Sequence, residues 1–208
     1  MADIRHKIGD RISEPIARFL IKTKVTPNIL TLTGFMLNVV VFVLIALNYL
    51  LAAGLVLLFS GIFDMLDGAL ARVTGKTTKF GAVLDSVLDR FSEAVVLLGL
   101  VIYYLYTFPY NVGVILVFIT LIGSMMVSYT RARAEALGID CKSGLFTRPE
   151  RVILLAAGLV FGMISKWVLV YMLWILASGT MATAVWRLSR VLRKADSQAD
   201  SQDKDQSP

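Results

Sequence analysis

Cysteine and charge are both scarce in this sequence. The one cysteine, Cys141, has no partner in the chain, which excludes an intrachain disulfide and leaves helix packing to stabilise the fold. Charged residues make up 17% of the 208 positions, whereas typical soluble domains carry about 25%. Hydrophobic residues make up 57%, and the mean hydropathy is +0.72. So apolar a composition predicts a polytopic membrane protein.

The first 28 residues lack an uninterrupted apolar run, so we expect no cleavable signal peptide. Residues 3–22 instead place isoleucines near one helical face and basic residues on the other, which is typical of an amphipathic helix in the membrane interface. Pro15 is expected to bend or divide this helix. We therefore divide the chain into a lead-in (1–28), a helical domain (29–194) and a polar, repetitive tail (195–208) that is expected to be disordered.

Six apolar segments predict an all-α fold with six transmembrane helices. About 20 helical residues cross a hydrocarbon core about 30 Å thick, and only the fifth segment is clearly shorter than that. The segments are 29–48, 52–72, 84–107, 110–133, 150–164 and 167–188.

The basic residues predict the orientation of these segments. Of the 21 lysines and arginines, all but Lys166 fall on one side of the six segments. The positive-inside rule makes that side cytoplasmic, together with both termini, in a multi-pass protein of the cell membrane. The net charge of +6 is thereby attributed to topology, and no nucleic-acid partner is expected.

Four aspartates interrupt the apolar pattern at the cytoplasmic side. Asp64 and Asp67 are three residues apart near the end of the second segment, and Asp85 and Asp89 are four apart near the start of the third. Either spacing puts both side chains on one face of a helix. An antiparallel hairpin turning through Gly75–Thr78 would bring all four carboxylates together just inside the membrane.

Such a cluster needs counter-charge, because one charged side chain near the bilayer centre costs about 2.5–3.5 kcal/mol on insertion scales. Mg²⁺ and Mn²⁺ prefer oxygen ligands, and two such ions can share four carboxylates and bridge phosphates. Ion pairs with Arg72 and Arg90, or a cation or proton pathway, are the other interpretations. Two helical pairs of acids with glycines between them favour the metal site. Gly68, Ala71 and Gly81 would let a bulky ligand approach the backbone, although close helix packing alone also explains small residues.

The spacing of these residues carries a family resemblance. Asp64-x-x-Asp67-Gly68-x-x-Ala71-Arg72, followed after eight residues by Gly81-x-x-x-Asp85-x-x-x-Asp89, resembles the signature of the CDP-alcohol phosphotransferases at all eight fixed positions. Six spans after an interfacial helix are also similar to that family. Members transfer a substituted phosphate from a CDP-linked lipid or alcohol to a hydroxyl group and release CMP, and the resemblance suggests a homodimer.

The resemblance implies a role for each matching residue. The four aspartates would hold two divalent ions, and Asp89 would also act as the general base on the acceptor hydroxyl. The stretch TPNILT, which contains Asn28 and Thr31, resembles the family's segment before the first span. The residues expected to bind the CDP-linked lipid are Asn28, Thr31, Gly68, Ala71, Arg72, Thr78 and Gly81.

A basic cluster in the second half of the chain indicates the acceptor. The stretches SYTRARAEALG and RPERV, with Glu93 four residues after Asp89, resemble the branch that makes phosphatidylinositol phosphate or its archaeal counterpart. In that branch a basic pocket beside the metal site holds the phosphate of inositol phosphate, so the resemblance implies inositol phosphate, a phosphorylated polyol, as the acceptor, and arginine forks fit phosphate oxygens. Arg133 and Arg190 are attributed instead to anionic lipid. The residues expected to hold the acceptor's phosphate are Ser128, Arg131, Arg148, Arg151 and Arg187.

Other functions stay open on the sequence alone. Phosphatidylglycerophosphate synthase also uses a phosphorylated polyol, glycerol 3-phosphate, but its usual sequence differs from DSVLDRFSE. Phosphatidylserine synthesis is less favoured, because a neutral-headed amino acid does not need so many arginines. A cation transporter or channel would place acids across the membrane rather than at one face. The sequence distinguishes neither Mg²⁺ from Mn²⁺ nor a diacylglycerol from an archaeal ether lipid.

Overall fold

A computed structural model describes residues 26–75, 77–107, 111–139, 144 and 146–206, with side chains to 195, and over these residues the backbone forms six α-helices and no strand. The all-α prediction is therefore confirmed. Each helix overlaps one predicted apolar segment, and most ends agree within a few residues. The helices are α1 (Pro27–Ala46), α2 (Leu50–Thr74), α3 (Lys79–Thr107), α4 (Val112–Ala136), α5 (Arg148–Gly162) and α6 (Lys166–Gln206).

Within the described part of the chain, α1, α2, α4 and α6 are long and apolar enough to cross a membrane. Helix α5 has 15 residues, and at 1.5 Å per residue it measures about 22 Å, less than the hydrocarbon thickness. Four candidate spans thus stand where the sequence predicts six, and the crossing of the membrane by α3 and α5 stays a prediction. The amphipathic helix predicted over 3–22 lies outside the described residues.

The connection between α2 and α3 has recognisable end signals. Gly75 adopts the left-handed conformation (φ 64°), which only glycine enters without strain, and ends α2. The hydroxyl of Thr78 accepts a 2.9 Å hydrogen bond from the backbone N–H of Gly81, which satisfies an otherwise unpaired donor at the start of α3. These two residues fix the turn between the helices that carry the aspartate pairs.

The six helices pack as a closed ring in the order α1, α2, α5, α6, α4, α3. Small residues bring the backbones close: a Cβ at Gly54 of α2 would lie 3.0 Å from the carbonyl oxygen of Ala156, and one at Gly99 of α3 would lie 3.1 Å from that of Phe42. Helices α2 and α3 each pack chiefly on α1 rather than on each other. The expected hairpin is therefore a pair of helices joined through α1, with their aspartates facing across a gap.

Helix α6 continues to Gln206 and so covers most of the tail that the sequence predicts to be disordered. The domain boundary expected at 194 does not coincide with a helix end. Once a long helix is nucleated, each further residue adds one hydrogen bond, so a polar segment of aspartate, glutamine, serine and alanine can prolong it although aspartate and serine have low helix propensity.

Candidate active site

The four aspartates lie at the same end of the bundle, where α2 ends and α3 begins. Asp67 is buried, and its Oδ2 accepts a 2.7 Å hydrogen bond from the hydroxyl of Thr31 on α1. Its other oxygen accepts the backbone N–H of Gly68. Asp64, Asp85 and Asp89 are partly exposed. The sequence places Thr31 on the donor lipid, whereas in the structure its hydroxyl orients an aspartate.

Arg148, the first residue of α5, joins the two aspartate pairs. Its Nη2 lies 2.7 Å from Oδ2 of Asp64, and its Nη1 lies 2.7 Å from Oδ1 of Asp89. The guanidinium therefore spans the gap between α2 and α3. The sequence assigns Arg148 to the acceptor's phosphate, and the structure puts its charge on the carboxylates.

The donor set suits a hard divalent cation, because four carboxylates offer only oxygen ligands and one guanidinium balances only part of their charge. The packing beside Asp64 is tight, since a Cβ at Gly34 of α1 would lie 3.0 Å from its Oδ1. Among the described residues, no three acidic, histidine or cysteine side chains converge on one point, and the guanidinium of Arg148 lies between Asp64 and Asp89. The residues fit a metal by chemistry, with Arg148 occupying part of the space between them.

Three of the predicted donor-binding residues meet beside this cluster. A Cβ at Gly81 would lie 3.0 Å from Oγ1 of Thr78 and 3.1 Å from Oδ1 of Asn28. The start of α1, the turn and the start of α3 therefore approach closely at residue 81, where a side chain would require Thr78 or Asn28 to shift by a few tenths of an ångström.

The remaining predicted donor residues lie on α2. A Cβ at Gly68 would lie 3.4 Å from Nη1 of Arg72, so the guanidinium of Arg72 folds back toward that glycine. Ala71 is half-buried on the same helix. The contact at Gly68 is an ordinary one with a flexible side chain of the same helix, whereas the contacts at Gly81 are tighter and mark a site of close approach.

Arg151 makes a buried ion pair that the sequence does not predict. Its Nε and Nη2 donate to the two carboxylate oxygens of Glu93 on α3, at 2.7 and 2.8 Å, and its Nη1 donates to the carbonyl oxygen of Phe146 at 3.0 Å. Ser124 on α4 donates a further 2.7 Å hydrogen bond to Glu93. Three helices therefore meet at the carboxylate of Glu93, and Arg151 also ties the segment before α5 to it.

The other residues predicted for the acceptor are spread along α4 and α6. Arg187 is buried and donates from Nη1 to the carbonyl oxygen of Val127, at 2.9 Å. Ser128, the next residue, is partly buried. Arg131 lies on the exposed surface of α4 and pairs with Glu135 at 2.8 Å. The structure thus brings Arg148 and Arg151 to the acids of α2 and α3, but it engages Arg131 within its own helix.

A small cavity of about 30 Å³ extends from Asp64 into the bundle, and most of its surface is apolar. That volume suffices for about two or three water molecules, since one water needs roughly 10–15 Å³. Polar residues inside apolar segments are the sequence signal that could have revealed it, and Asn38 and Ser60 already hydrogen-bond each other there at 2.7 Å. Its polar lining consists of Asn38, Ser60, Asp64, Ser92, Glu93, Thr120, Arg148 and Arg151.

An apolar helical bundle with aspartates and arginines at one end is compatible with a membrane-bound enzyme that acts on phosphorylated lipids. A model of the family described as CDP-alcohol phosphatidyltransferase matches residues 24–200, and the chain belongs to that family. The resemblance seen in the aspartate pattern is confirmed.

Relatives in bacteria and archaea match most of the chain. It is 40% identical over 182 residues to the phosphatidylinositol phosphate synthase of Corynebacterium glutamicum, covering 85% of this chain and 82% of the relative. It is 36% identical over 190 residues to the archaetidylinositol phosphate synthase of Pyrococcus horikoshii, covering 89% and 97%.

Solved structures of one further relative have the same fold. The crystal structure of Mycobacterium tuberculosis phosphatidylinositol phosphate synthase with CDP-DAG bound aligns with a TM-score of 0.78 and 37% identity, over 87% of this chain and 94% of that one. The structure of the same protein in complex with manganese and citrate aligns with a TM-score of 0.78 and 36% identity, over 86% and 88%.

Proposed function

We propose that this protein transfers the phosphatidyl group of CDP-diacylglycerol, or the archaetidyl group of CDP-archaeol, to a hydroxyl of inositol phosphate and releases CMP. The observation that carries the proposal is the meeting of Asp64 and Asp89, from two helices, at the first residue of the basic segment RPERV. The names of the relatives in bacteria and archaea support the same acceptor.

The transfer is a displacement at phosphorus. The acceptor hydroxyl oxygen forms a bond to the lipid-linked phosphorus of the CDP-lipid, and the bond from that phosphorus to the CMP oxygen breaks. Asp89 would take the hydroxyl proton, since a carboxylate at the reacting centre is a suitable general base. Asp64 shares the guanidinium of Arg148 with Asp89 and so keeps the two acids facing each other.

Asp64, Asp67, Asp85 and Asp89 would hold Mg²⁺ or Mn²⁺, as two ions. Bound cations would polarise the pyrophosphate and neutralise the departing CMP. Thr31 supports this assignment, because its hydrogen bond fixes the orientation of Asp67. The manganese in the mycobacterial structure also supports it.

The nucleotide end of the donor would lie beside α1 and the turn between α2 and α3. The close approach of Asn28, Thr78 and Gly81 supports a narrow slot there. Thr31, Gly68, Ala71 and Arg72 would complete it. The CDP-DAG in the mycobacterial relative supports a CDP-linked lipid as the donor.

The phosphate of the acceptor would be held by the arginines at the same end of the bundle. Arg151 uses three N–H groups on Glu93 and Phe146, and a guanidinium carries five, which leaves two for a phosphate. Arg187 and Ser128 would contribute from α6 and α4. Arg148 and Arg131 would join once their present carboxylate partners release them.

We also propose the membrane topology that the sequence predicts. All six helices would cross the cell membrane after an interfacial helix over 3–22, with both termini and the site cytoplasmic. We propose a homodimer and the division into 1–28, 29–194 and 195–208.

A substrate panel tests this function. Purified protein in micelles is given CDP-diacylglycerol with inositol phosphate, glycerol 3-phosphate, inositol or serine, and CMP is measured. CMP release should be fastest with inositol phosphate. Faster release with glycerol 3-phosphate would identify a phosphatidylglycerophosphate synthase instead. Absence of CMP with every acceptor would contradict the transferase and leave the transporter to be tested.

A further inference from the structure

The guanidinium of Arg148 binds two carboxylates, those of Asp64 and Asp89, rather than one. Nη2 contacts Asp64 of α2 and Nη1 contacts Asp89 of α3, both at 2.7 Å. A guanidinium fork fits a single carboxylate bidentately, as Arg151 does with Glu93. The split arrangement at Arg148 therefore spans the mouth between two helices, where it balances charge on both.

A divalent cation held by Asp64 and Asp89 would bind the same two carboxylates that Arg148 contacts. A metal ion about 2.1 Å from a carboxylate oxygen would lie only a few ångströms from a guanidinium nitrogen bonded to that carboxylate. At about 4 Å, a divalent cation and a guanidinium repel each other strongly in a partly buried site, because the local dielectric constant is lower than that of water. Arg148 and the cation can share Asp64 and Asp89 only at a large cost.

The start of α5 is anchored independently of this contact. Arg151 is fixed on Glu93 and Phe146, and the hydroxyl of Thr147 hydrogen-bonds the carboxylate of Glu150. The side chain of Arg148 is 24% exposed, so it reaches the edge of the bundle. It can leave the carboxylates by rotating its own side chain, with the helix unchanged.

We infer that Arg148 is a built-in counter-ion that competes with the divalent cation for Asp64 and Asp89 and holds the two acids in register before the cation binds. The inference rests on the proposed function for the metal itself. It predicts opposite effects of one substitution: removing the charge strengthens metal binding and weakens the metal-free protein.

The test uses the full chain in lipid nanodiscs. Mn²⁺ is titrated, and free Mn²⁺ is measured by its paramagnetic resonance signal for the wild type, Arg148→Gln, Arg148→Lys and Arg133→Gln. The Mn²⁺ dissociation constant of Arg148→Gln should fall about tenfold or more, because a charged hydrogen bond is among the stronger single contacts. Arg148→Lys, which keeps the charge without the fork, should fall less. Arg133→Gln removes an exposed charge from α4 and should change the constant less than about twofold, because exposed charges are screened.

Thermal unfolding gives a second readout that needs no metal. In chelator, Arg148→Gln should unfold at a lower temperature than the wild type, and saturating Mn²⁺ should narrow the difference. Unchanged or weaker Mn²⁺ binding by a folded Arg148→Gln overturns the inference. If the wild type binds no Mn²⁺, the metal assignment fails. Equal unfolding temperatures of the wild type and Arg148→Gln in chelator would then overturn the role of Arg148 as a counter-ion. Absence of CMP release with every acceptor, together with a preserved Mn²⁺ shift, would refute the proposed transfer and leave the counter-ion role standing.

Discussion

Arg151 and Glu93, which are 58 residues apart, form a bidentate ion pair with N–O distances of 2.7 and 2.8 Å between α5 and α3. Their side chains are 5% and 13% exposed. Glu93 also accepts the hydroxyl of Ser124, so its oxygens are already engaged. It therefore orients Arg151 at the edge of the site, and it is poorly placed to replace Asp89 as the base.

The first prediction concerns the stability of this pair. Removing one partner of a buried ion pair typically costs about 3–5 kcal/mol, because the other charge stays buried without compensation. Glu93→Gln and Arg151→Gln should each lower the thermal unfolding temperature in micelles. The double variant should lose less than the sum of the two.

A matched control exists on α4. Arg131→Gln breaks the pair with Glu135, whose side chains are 52% and 53% exposed, and an exposed pair contributes about 0–1 kcal/mol. It should unfold close to the wild-type temperature. Wild-type unfolding of Glu93→Gln would mean that the buried pair contributes nothing.

The second prediction is metal dependence. Chelation should abolish CMP release, and Mg²⁺ or Mn²⁺ should restore it, because four carboxylates without cations would repel the donor's pyrophosphate. Asp64→Asn, Asp67→Asn and Asp85→Asn should each lose activity at ordinary metal concentration. Full CMP release in chelator would refute the assignment of the aspartates to metal.

The third prediction separates proton transfer from binding at Asp89. Asn at this position keeps an oxygen that can accept from Arg148, but it cannot take a proton. General bases contribute about 10²–10⁴-fold, so kcat of Asp89→Asn should fall by about that factor. The KM for CDP-lipid should stay near the wild-type value. A wild-type rate would show that another group accepts the proton.

The helices were predictable because the signals for each one lie in its own stretch of sequence. Apolar segments, Gly75 at a helix end and Thr78 at a helix start are signals that lie within the elements they define. The order of the helices around the ring could not be predicted in this way, because it depends on contacts between distant segments, such as those of α3 with α1. Helical spacing placed each aspartate pair on one face, but it could not show the gap between the pairs.

The arginines show where sequence reasoning ended. Charge and position put Arg148 and Arg151 at the cytoplasmic end, but their partners lie on α2 and α3, between 58 and 84 residues away. Only tertiary packing decides whether such an arginine binds a phosphate, a carboxylate that holds a metal, or a carboxylate with a purely structural role. The acidic motif, by contrast, is fixed by spacing within two helices.

The fourth prediction tests the slot for the nucleotide. In Gly81→Ala the new Cβ would lie 3.0 Å from Thr78 Oγ1 and 3.1 Å from Asn28 Oδ1, so the slot must widen or a neighbour must shift. The KM for CDP-lipid should rise, with the acceptor KM little changed. Gly61→Ala is the control, because its Cβ would meet only Val152 at 3.8 Å, an ordinary contact. A rise in the acceptor KM alone would place Gly81 on the other substrate.

The last prediction concerns the acceptor's phosphate. Arg187 is buried, and the fork of arginine fits a phosphate in a way that the point charge of lysine does not. Arg187→Lys keeps the charge and should raise the KM for inositol phosphate while the KM for CDP-lipid stays unchanged. Arg131→Ala should act in the same direction, by up to the 10- to 150-fold that about 1.5–3 kcal/mol represents.

Arg133→Ala is the control for Arg131→Ala, because both residues are exposed arginines on α4. The control should change neither KM by more than about twofold, as expected for a screened surface charge. Equal effects of Arg131→Ala and Arg133→Ala would show that the surface charge of α4 attracts the acceptor without a specific contact. A rise in the CDP-lipid KM with Arg187→Lys would instead assign Arg187 to the donor, because a residue that binds only the acceptor leaves the affinity for the other substrate unchanged.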